Sequence, residues 1–189
     1  MKKEYRNVVR TKKMIRSALM ELLEEYKDIE NISVTELAER ADLSKSTFYY
    51  HYEDIYAVVE EIENELLAKF LEVLDQIKKE QATEYGTYVK IIIDFLKENE
   101  GIYRKATCNS SSLLFMEKMK SVLAKKIFEN NQALCLSKNA NVHYLQVRFL
   151  TNAFIDTLAD YFKGILNVSL DQLGETLLGI IAKLLTVEI

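Results

Sequence analysis

Residues 33–52 of the chain read Ser-Val-Thr-Glu-Leu-Ala-Glu-Arg-Ala-Asp-Leu-Ser-Lys-Ser-Thr-Phe-Tyr-Tyr-His-Tyr. Ser33, followed three residues later by Glu36, predicts a capping box: the serine hydroxyl accepts a backbone N–H and the carboxylate reaches back to the cap. A short helix is therefore expected from Val34. Asp42 tolerates the left-handed backbone of a tight turn, and Ser44 can cap a second helix. The stretch predicts two short helices joined by a turn.

The second of these helices has a polar outer face. Only Phe48 is expected in the core, and its neighbours are donors or acceptors that point outward. This arrangement is that of a helix-turn-helix, whose second helix enters the major groove of DNA. We therefore expect double-stranded DNA as a partner. The candidate DNA-binding residues are Thr35, Ser44, Lys45, Ser46, Thr47, Tyr49, Tyr50 and His51.

The run Thr47-Phe48-Tyr49-Tyr50-His51-Tyr52, with the spacing from Val34 to Ala41, resembles the tetracycline-repressor (TetR) family of transcriptional regulators. The resemblance implies an all-α protein with two domains. Residues 1–53 would form a three-helix helix-turn-helix DNA-binding domain, and residues 54–189 a larger helical domain for effector binding and dimerisation. Two positions depart from the family pattern. Asp42 stands where the family usually has Gly, and Ile55 where it commonly has a Lys that contacts phosphate.

The same resemblance implies a mechanism. A homodimer, formed through the two C-terminal helices, would read a near-palindromic operator and act as a repressor. A small-molecule effector, whose identity the sequence does not give, would shift the long fourth helix and release the DNA. The departures at Asp42 and Ile55 support an alternative: a helical dimer that retains the fold, has lost sequence-specific DNA binding and acts through protein partners.

Charge is distributed unevenly along the chain. The net charge is −4, yet seven of the first 16 residues are Lys or Arg and only Glu4 is acidic. A positive segment beside a DNA-reading helix favours phosphate binding, and a solubilising basic tail is the other interpretation. The predicted basic arm consists of Lys2, Lys3, Arg6, Arg10, Lys12 and Lys13.

Composition favours helices and excludes several classes of function. The 189 residues include no Pro and five Gly, so little interrupts a helical backbone. No uncharged apolar run is long enough to span a membrane, and we expect a cytoplasmic protein. Without a Gly-rich phosphate loop, a His-Glu-x-x-His motif or a nucleophile elbow, we expect no enzyme, no cofactor and no metal. Cys108 and Cys135 are expected to be reduced thiols, with redox sensing as an outside possibility.

Apolar periodicity predicts the remaining helices. One covers about Thr11 to Lys27, and a long one, capped by Asp54, runs from Ile55 to about Lys79. Glu60, Glu61, Glu63 and Glu65 are expected on the solvated side of that long helix. Shorter helices follow from Tyr85, from Ile102 and from Leu113. The last two, Tyr144 to Leu166 and Leu170 to Leu185, are apolar on more than one face, which favours a symmetric dimer over a bundle closed within one chain.

Effector-pocket residues are sought among aromatic side chains of the C-terminal region, although each of these also suits a plain core position. The candidates are Tyr88, Phe95, Tyr103, Phe115, Phe149 and Phe154. Polar residues recur through the penultimate helix at Arg148, Asn152, Asp156 and Asp160, as a solvated edge or as anchors for a ligand or a dimer contact. His143 is expected to be partly exposed and without a role.

Overall fold

The computed structural model describes residues 2–26, 28–79, 85–107, 112–129, 137 and 139–186. These ranges contain helices and connecting turns and no strand. The helices are α1 (Lys2–Tyr26), α2 (Val34–Arg40), α3 (Lys45–His51), α4 (Ile55–Lys79), α5 (Tyr85–Glu98), α6 (Glu100–Thr107), α7 (Ser112–Glu129), α8 (Ala140–Phe162) and α9 (Leu170–Thr186). Cys108 and Cys135 lie outside the described residues. No described helix is long and apolar enough to cross a membrane.

Helix α1 begins at Lys2, nine residues before the predicted start at Thr11. The prediction was wrong because it followed apolar periodicity, which residues 2–10 lack. These residues contain no Gly or Pro, and Lys, Arg and Glu are good helix formers. The predicted basic arm is therefore the first part of a continuous helix.

The N-terminal head consists of α1, a 3-10 turn at Ile29–Asn31, α2 and α3. Leu19, Leu37 and Phe48 meet in its core with no exposed surface. The Ser33 hydroxyl accepts a hydrogen bond from the Glu36 N–H at 3.2 Å, as predicted for the cap of α2. The Glu36 carboxylate accepts a hydrogen bond from the Tyr26 hydroxyl, and this contact joins α2 to the end of α1.

Asp42 forms the turn between α2 and α3 with φ of 56°. The Asp42 N–H donates to the Glu39 carbonyl at 3.0 Å, and the Leu43 N–H donates to the Ala38 carbonyl at 2.9 Å. This pair of bonds is a Schellman motif, the usual ending of a helix at a left-handed residue. Aspartate thus makes the turn that glycine makes in the resembled family.

Helix α4 connects the head to the C-terminal body. The Asp54 carboxylate accepts a hydrogen bond from the Ala57 N–H at 2.8 Å, which confirms the predicted cap. Its 25 residues span about 38 Å at a rise of about 1.5 Å per residue. The prediction that Glu63 is solvated was wrong, because Glu63 shares the buried face of Ile62 and Leu66 and is 6% exposed. Burial raises the pKa of its carboxyl group.

The body contains α5 to α9. Helix α8 packs against α6 and α7, and α9 packs against α5. Helix α8 begins four residues earlier than predicted, because the Asn139 side chain accepts hydrogen bonds from the N–H groups of Asn141 and Val142. It also ends four residues earlier, at a second Schellman motif in which Gly164 has φ of 74°.

His143 is buried on α8, with 5% of its surface exposed. Its ring packs edge-on against Phe128, with 5.3 Å between ring centroids. The expectation of a partly exposed histidine was therefore wrong. With α8 starting at Ala140 rather than Tyr144, His143 lies one helical turn before Val147 on the face that packs against α7, and this register was not available from apolar periodicity alone.

Candidate nucleic-acid interface

Three hydroxyl groups organise the start of α3. The Ser44 Oγ accepts a hydrogen bond from the Thr47 N–H at 3.1 Å and lies 2.8 Å from both Ser46 Oγ and Thr47 Oγ1. The Ser44 oxygen therefore satisfies a backbone donor that the first turn leaves unpaired. Of the candidate DNA-binding residues, Ser44 therefore stabilises the start of α3 in the free protein.

The outer face of α3 is open to solvent. Lys45 and Ser46 are exposed, and Thr47 and Thr35 are half-buried. Tyr49 and Tyr50 have 57% and 77% of their surface exposed. Phe48, fully buried beneath them, fixes the helix against the head, so the polar side chains are presented from a rigid support.

His51 closes α3 and is half-buried. Its ring meets the edge of the Tyr50 ring, with 5.0 Å between centroids. Partial burial lowers the pKa of His51, and the positive charge of Lys12 lowers it further. The imidazole is consequently neutral near pH 7, with one ring nitrogen as a donor.

The described basic side chains at the start of α1 fall into an exposed group and an inward-facing one. Arg6, Arg10 and Lys13 are exposed and follow i, i+4, i+7 spacing along one side of the helix. Lys2 and Lys3 lie in its first turn, and their side chains are outside the described part of the chain. Lys12 faces inward instead: its Nζ is 2.6 Å from Glu61 Oε2 and 4.8 Å from the centre of the Tyr52 ring.

An ionic ladder of Lys12, Arg16, Glu61 and Glu65 joins α1 to α4. Arg16 lies 2.6 Å from a carboxylate oxygen of Glu61 and 2.6 Å from one of Glu65. Partial burial opposes ionisation of Glu61, but the hydrogen bond and charge of Lys12 outweigh it and lower the pKa of that carboxyl group. Glu61 was expected to be solvated, yet it is half-buried and paired, because the basic face of α1 lies against this side of α4.

Ile55, the second departure from the family pattern, is a core residue with 7% of its surface exposed. It opens α4 and packs into the same hydrophobic cluster as Phe48 and Tyr52. At this position the chain contributes apolar contact rather than a charge.

A small apolar cavity of about 80 Å³ lies in the body between α5, α7, α8 and α9. Tyr88 and Phe154, two of the six aromatic candidates, line it. Aliphatic side chains form much of the rest, among them Ile92, Leu123, Leu150 and Ile181. These four could not be predicted from the sequence, because an aliphatic residue beside a cavity has the same pattern as one in a filled core.

The other four aromatic candidates lie elsewhere. The Tyr103 ring contacts Phe95 and Phe115, with centroids 5.8 Å and 6.4 Å away, in a packed aromatic cluster. The Tyr103 hydroxyl donates a hydrogen bond to the Leu66 carbonyl at 2.9 Å and so joins α6 to α4. Phe149 is on the surface of α8, with 65% of its area exposed.

The predicted polar stripe of α8 is not a uniform edge. Asp156 is exposed and lies 2.7 Å from the Lys120 Nζ on α7, while Arg148, Asn152 and Asp160 are half-buried. Within the described residues, no group of three or more His, Cys, Asp or Glu side chains is arranged to hold a metal ion.

A capped short helix on a rigid head, with exposed donors on its outer face and cations beside it, defines a helix-turn-helix DNA-binding protein. The sequence model of the bacterial regulatory proteins of the tetR family matches residues 15–62, which include α2, α3 and the start of α4. Residues 15–62 thus carry the helix-turn-helix domain of the tetR family of bacterial regulatory proteins, and this match supports a DNA-binding transcriptional regulator.

The fold of the chain is similar to that of a solved structure. The structure titled "Dihydroxyacetone kinase operon activator DhaS" superposes with a TM-score of 0.63 at 17% sequence identity, and the match covers 95% of this chain and 98% of that one. At this identity the likeness concerns the fold. No curated protein sequence matches the chain significantly.

Proposed function

We propose that the protein is a homodimeric repressor that binds a near-palindromic operator and is released by a small apolar effector. The observation that carries this proposal is the path from the cavity to α3. Two of the helices that wall the cavity, α5 and α7, pack against α4, and three residues separate α4 from α3. A change in cavity shape therefore has a short, rigid route to the DNA-binding helix.

Each part of the head has a proposed role on DNA. Lys45, at the start of α3, reaches a guanine edge, with Thr35, Ser46 and Thr47 as neighbouring base or phosphate contacts. Tyr49, Tyr50 and His51 lie further along, where phosphate oxygens are nearer than base edges. Arg6 and Arg10, the exposed cations nearest the start of α1, bind the phosphate backbone without reading sequence.

The proposed dimer uses α8 and α9. Leu145 and Phe149 lie one turn apart on α8 and have 66% and 65% of their surface exposed, and Ile180 on α9 has 50%. Apolar side chains exposed together on terminal helices favour burial against a second copy of the chain. A two-fold dimer presents two heads, and this requires inverted half-sites in the operator.

Release of DNA requires the cavity to expand. Its volume of about 80 Å³ is smaller than the cavity of about 150 Å³ that holds benzene in an engineered protein. An effector would therefore bind better to a form in which α8 and α9 stand further from α5 and α7. A difference of a few kcal/mol between the two forms suffices to move the heads out of register.

Selection from a randomised double-stranded DNA library tests the DNA-binding part of the proposal. We expect enrichment of an inverted repeat, and sedimentation equilibrium should give a mass of about twice 21.9 kDa. Transcription in vitro from a promoter that carries the selected operator then distinguishes repression from activation. A library in which no sequence is enriched would show that the helix-turn-helix is vestigial, and would leave the protein-partner alternative.

The effector part needs a separate variant. Leu150→Phe adds volume at the half-buried rim of the cavity and leaves the head unchanged. We expect this variant to bind the operator as the wild type does, while apolar compounds that release the wild type from DNA lose their effect. Equal release of both proteins would place the effector somewhere other than this cavity.

A further inference from the structure

A second cleft, of about 280 Å³, lies between the head and the body. Side chains from α1, α4 and α6 line it, and none of them borders the apolar cavity. The cleft is strongly basic, with Lys13 and Arg16 from α1, Lys69 from α4 and Lys105 from α6. Glu65 is the one carboxylate in its described lining.

The nearby carboxylates do not balance these cations. Arg16 pairs with Glu61 and Glu65, and the Lys105 Nζ lies 2.7 Å from Glu24. Glu61 is shared with Lys12. Among the described residues, Lys13 and Lys69 have no carboxylate oxygen within 4.0 Å, although the chain as a whole has a net charge of −4. The cleft thus keeps two exposed ammonium groups, one from α1 and one from α4.

The floor of the cleft is apolar. Met20 comes from α1, Ile62 and Leu66 from α4, and Ile102 from α6. Ile102 has 39% of its surface exposed, so its side chain is partly in contact with solvent in the free protein. A ligand that covers this floor gains from apolar burial as well as from charge.

DNA is a poor occupant for this cleft. Lys69 is 14 residues beyond the start of α4 at Ile55, which places it about 21 Å along the helix at about 1.5 Å per residue. The phosphates that α3 and the start of α1 would contact lie at the other end of α4. The volume of the cleft, about 280 Å³, lies just below the range of about 300–1,000 Å³ that is usual for ligand pockets, which suits a small molecule.

We propose that this cleft binds a small organic anion: a phosphate or carboxylate group attached to an apolar body of about one ring. The anionic group lies between the ammonium groups of Lys13 and Lys69, and the apolar body covers Ile102 and Ile62. The bound anion joins α1 of the head to α4 and α6 of the body and holds the head in one orientation. An anion that prefers this orientation changes the affinity of the protein for DNA. By linkage, DNA changes the affinity of the protein for the anion by the same factor.

The site goes beyond the proposed function, and its test needs no DNA. Titration calorimetry of the full chain with phenyl phosphate should show one saturable site per chain. Lys69→Gln should weaken binding about tenfold through loss of a charge-assisted hydrogen bond. Ile102→Glu, at a half-exposed position, should weaken binding at least as much, because it places a carboxylate in the cleft. The control Lys90→Gln removes an exposed lysine of α5 and should leave binding unchanged.

Two further probes separate charge from apolar contact. Benzoate, with the same ring and a carboxylate, should bind the same site, while inorganic phosphate and benzyl alcohol should each bind at least about tenfold more weakly. Absence of saturable phenyl phosphate binding at millimolar concentration would overturn the proposal. Binding that is equal in wild type and Lys69→Gln, or equal for phenyl phosphate and inorganic phosphate, would overturn it as well.

Discussion

Single residues in the head divide between those that hold the turn and those that face outward. Ser44, Phe48 and Asp42 set the geometry of the helix-turn-helix, whereas Lys45 and Tyr49 are exposed on its outer face. The cap at Ser44 and the turn at Asp42 were predictable, because their backbone requirements are local. The apolar periodicity of α4 includes Ile55, but its packing into the cluster of Phe48 and Tyr52 was not predictable, because it depends on how the start of α4 meets the head.

Lys45 and Tyr49 are expected to act differently on DNA. Lys45→Ala should cost about 1–3 kcal/mol at the selected operator and flatten the preference among sequence variants. Tyr49→Phe should weaken operator and random DNA alike by about 0.5–1.5 kcal/mol, because it removes a hydrogen bond that positions the protein without reading bases. Binding isotherms on operator and random duplexes measure both. Equal losses on the two duplexes for Lys45→Ala would contradict its base-reading role.

His51 predicts a pH dependence of DNA binding. Burial and Lys12 lower its pKa in the free protein, so the ring is neutral at pH 7, while a nearby phosphate favours the protonated form. DNA binding should therefore take up a proton, and affinity should rise as the pH falls from about 7.5 through the usual histidine value of about 6.5. His51→Gln should flatten this dependence. An unchanged pH profile in the variant would assign the proton to another group.

The pH dependence of folding stability has the opposite sign to that of DNA binding. Because the folded pKa of His51 lies below its unfolded value, the unfolded chain binds more protons below about pH 6.5. The contribution of His51 to folding stability is complete above that pH and is lost as the pH falls through the lowered folded pKa. Acidification should thus strengthen DNA binding and lower the folding stability of the free protein within the same pH window. Thermal unfolding of the free protein between pH 7.5 and pH 5.5 measures the second effect.

At the scale of helices, α9 is held close to α5 by a glycine. A Cβ built at Gly174 would lie 2.9 Å from Ile93 Cγ1, while one at Gly179 meets no atom within 4 Å. Gly174→Ala should lower the free energy of unfolding, because overpacking of about 1–3 kcal/mol exceeds the gain in helix propensity of about 1 kcal/mol. Gly179→Ala should raise it by about 0.5–1 kcal/mol. Urea unfolding measures the free energy of unfolding of both variants. Equal stabilisation would mean that α9 shifts away from Ile93 when Gly174 is replaced.

Helix boundaries were predictable where a side chain caps the backbone and less so where periodicity alone was used. Ser33, Ser44 and Asp54 each cap the helix that was expected to follow them. Gly164 indicates the end of α8, but the prediction followed the apolar pattern past it to Leu166. The start of α1 had no such signal, since good helix formers without an apolar face do not distinguish a helix from a solvated tail.

For the whole molecule, the dimer surface can be tested with a matched pair of leucines. Leu145 on α8 and Leu113 on α7 have 66% and 73% of their surface exposed. Leu145→Lys should weaken the dimer by about 1.5–3 kcal/mol per protomer through lost apolar burial, and Leu113→Lys should not. Sedimentation equilibrium over a dilution series gives both constants. A stable monomer in the wild type would remove the interface and the two-headed mechanism together.

The domain division between residues 53 and 54 stays a prediction. Helix α1 belongs to the head by sequence order, yet it packs against α4 and α6 as well as against α2 and α3. The sequence predicted an all-helical chain with a DNA-binding head, because both are encoded locally. The basic cleft was not predictable, since it combines side chains from residues 13 to 105 that only the tertiary fold brings together.

The ionic ladder of Lys12, Arg16, Glu61 and Glu65 changes what a salt titration of this regulator reports. The slope of log affinity against log salt is ordinarily converted into a number of displaced counterions on the nucleic acid. Here added salt also screens the ion pairs that fasten α1 to α4, above all the pair of Arg16 with the exposed Glu65, so the contact between α1 and α4 weakens while the cations of the head leave the phosphates. The number of released counterions calculated from the slope will therefore exceed the number of phosphates that the protein contacts. The excess reflects how strongly salt weakens the contact between α1 and α4.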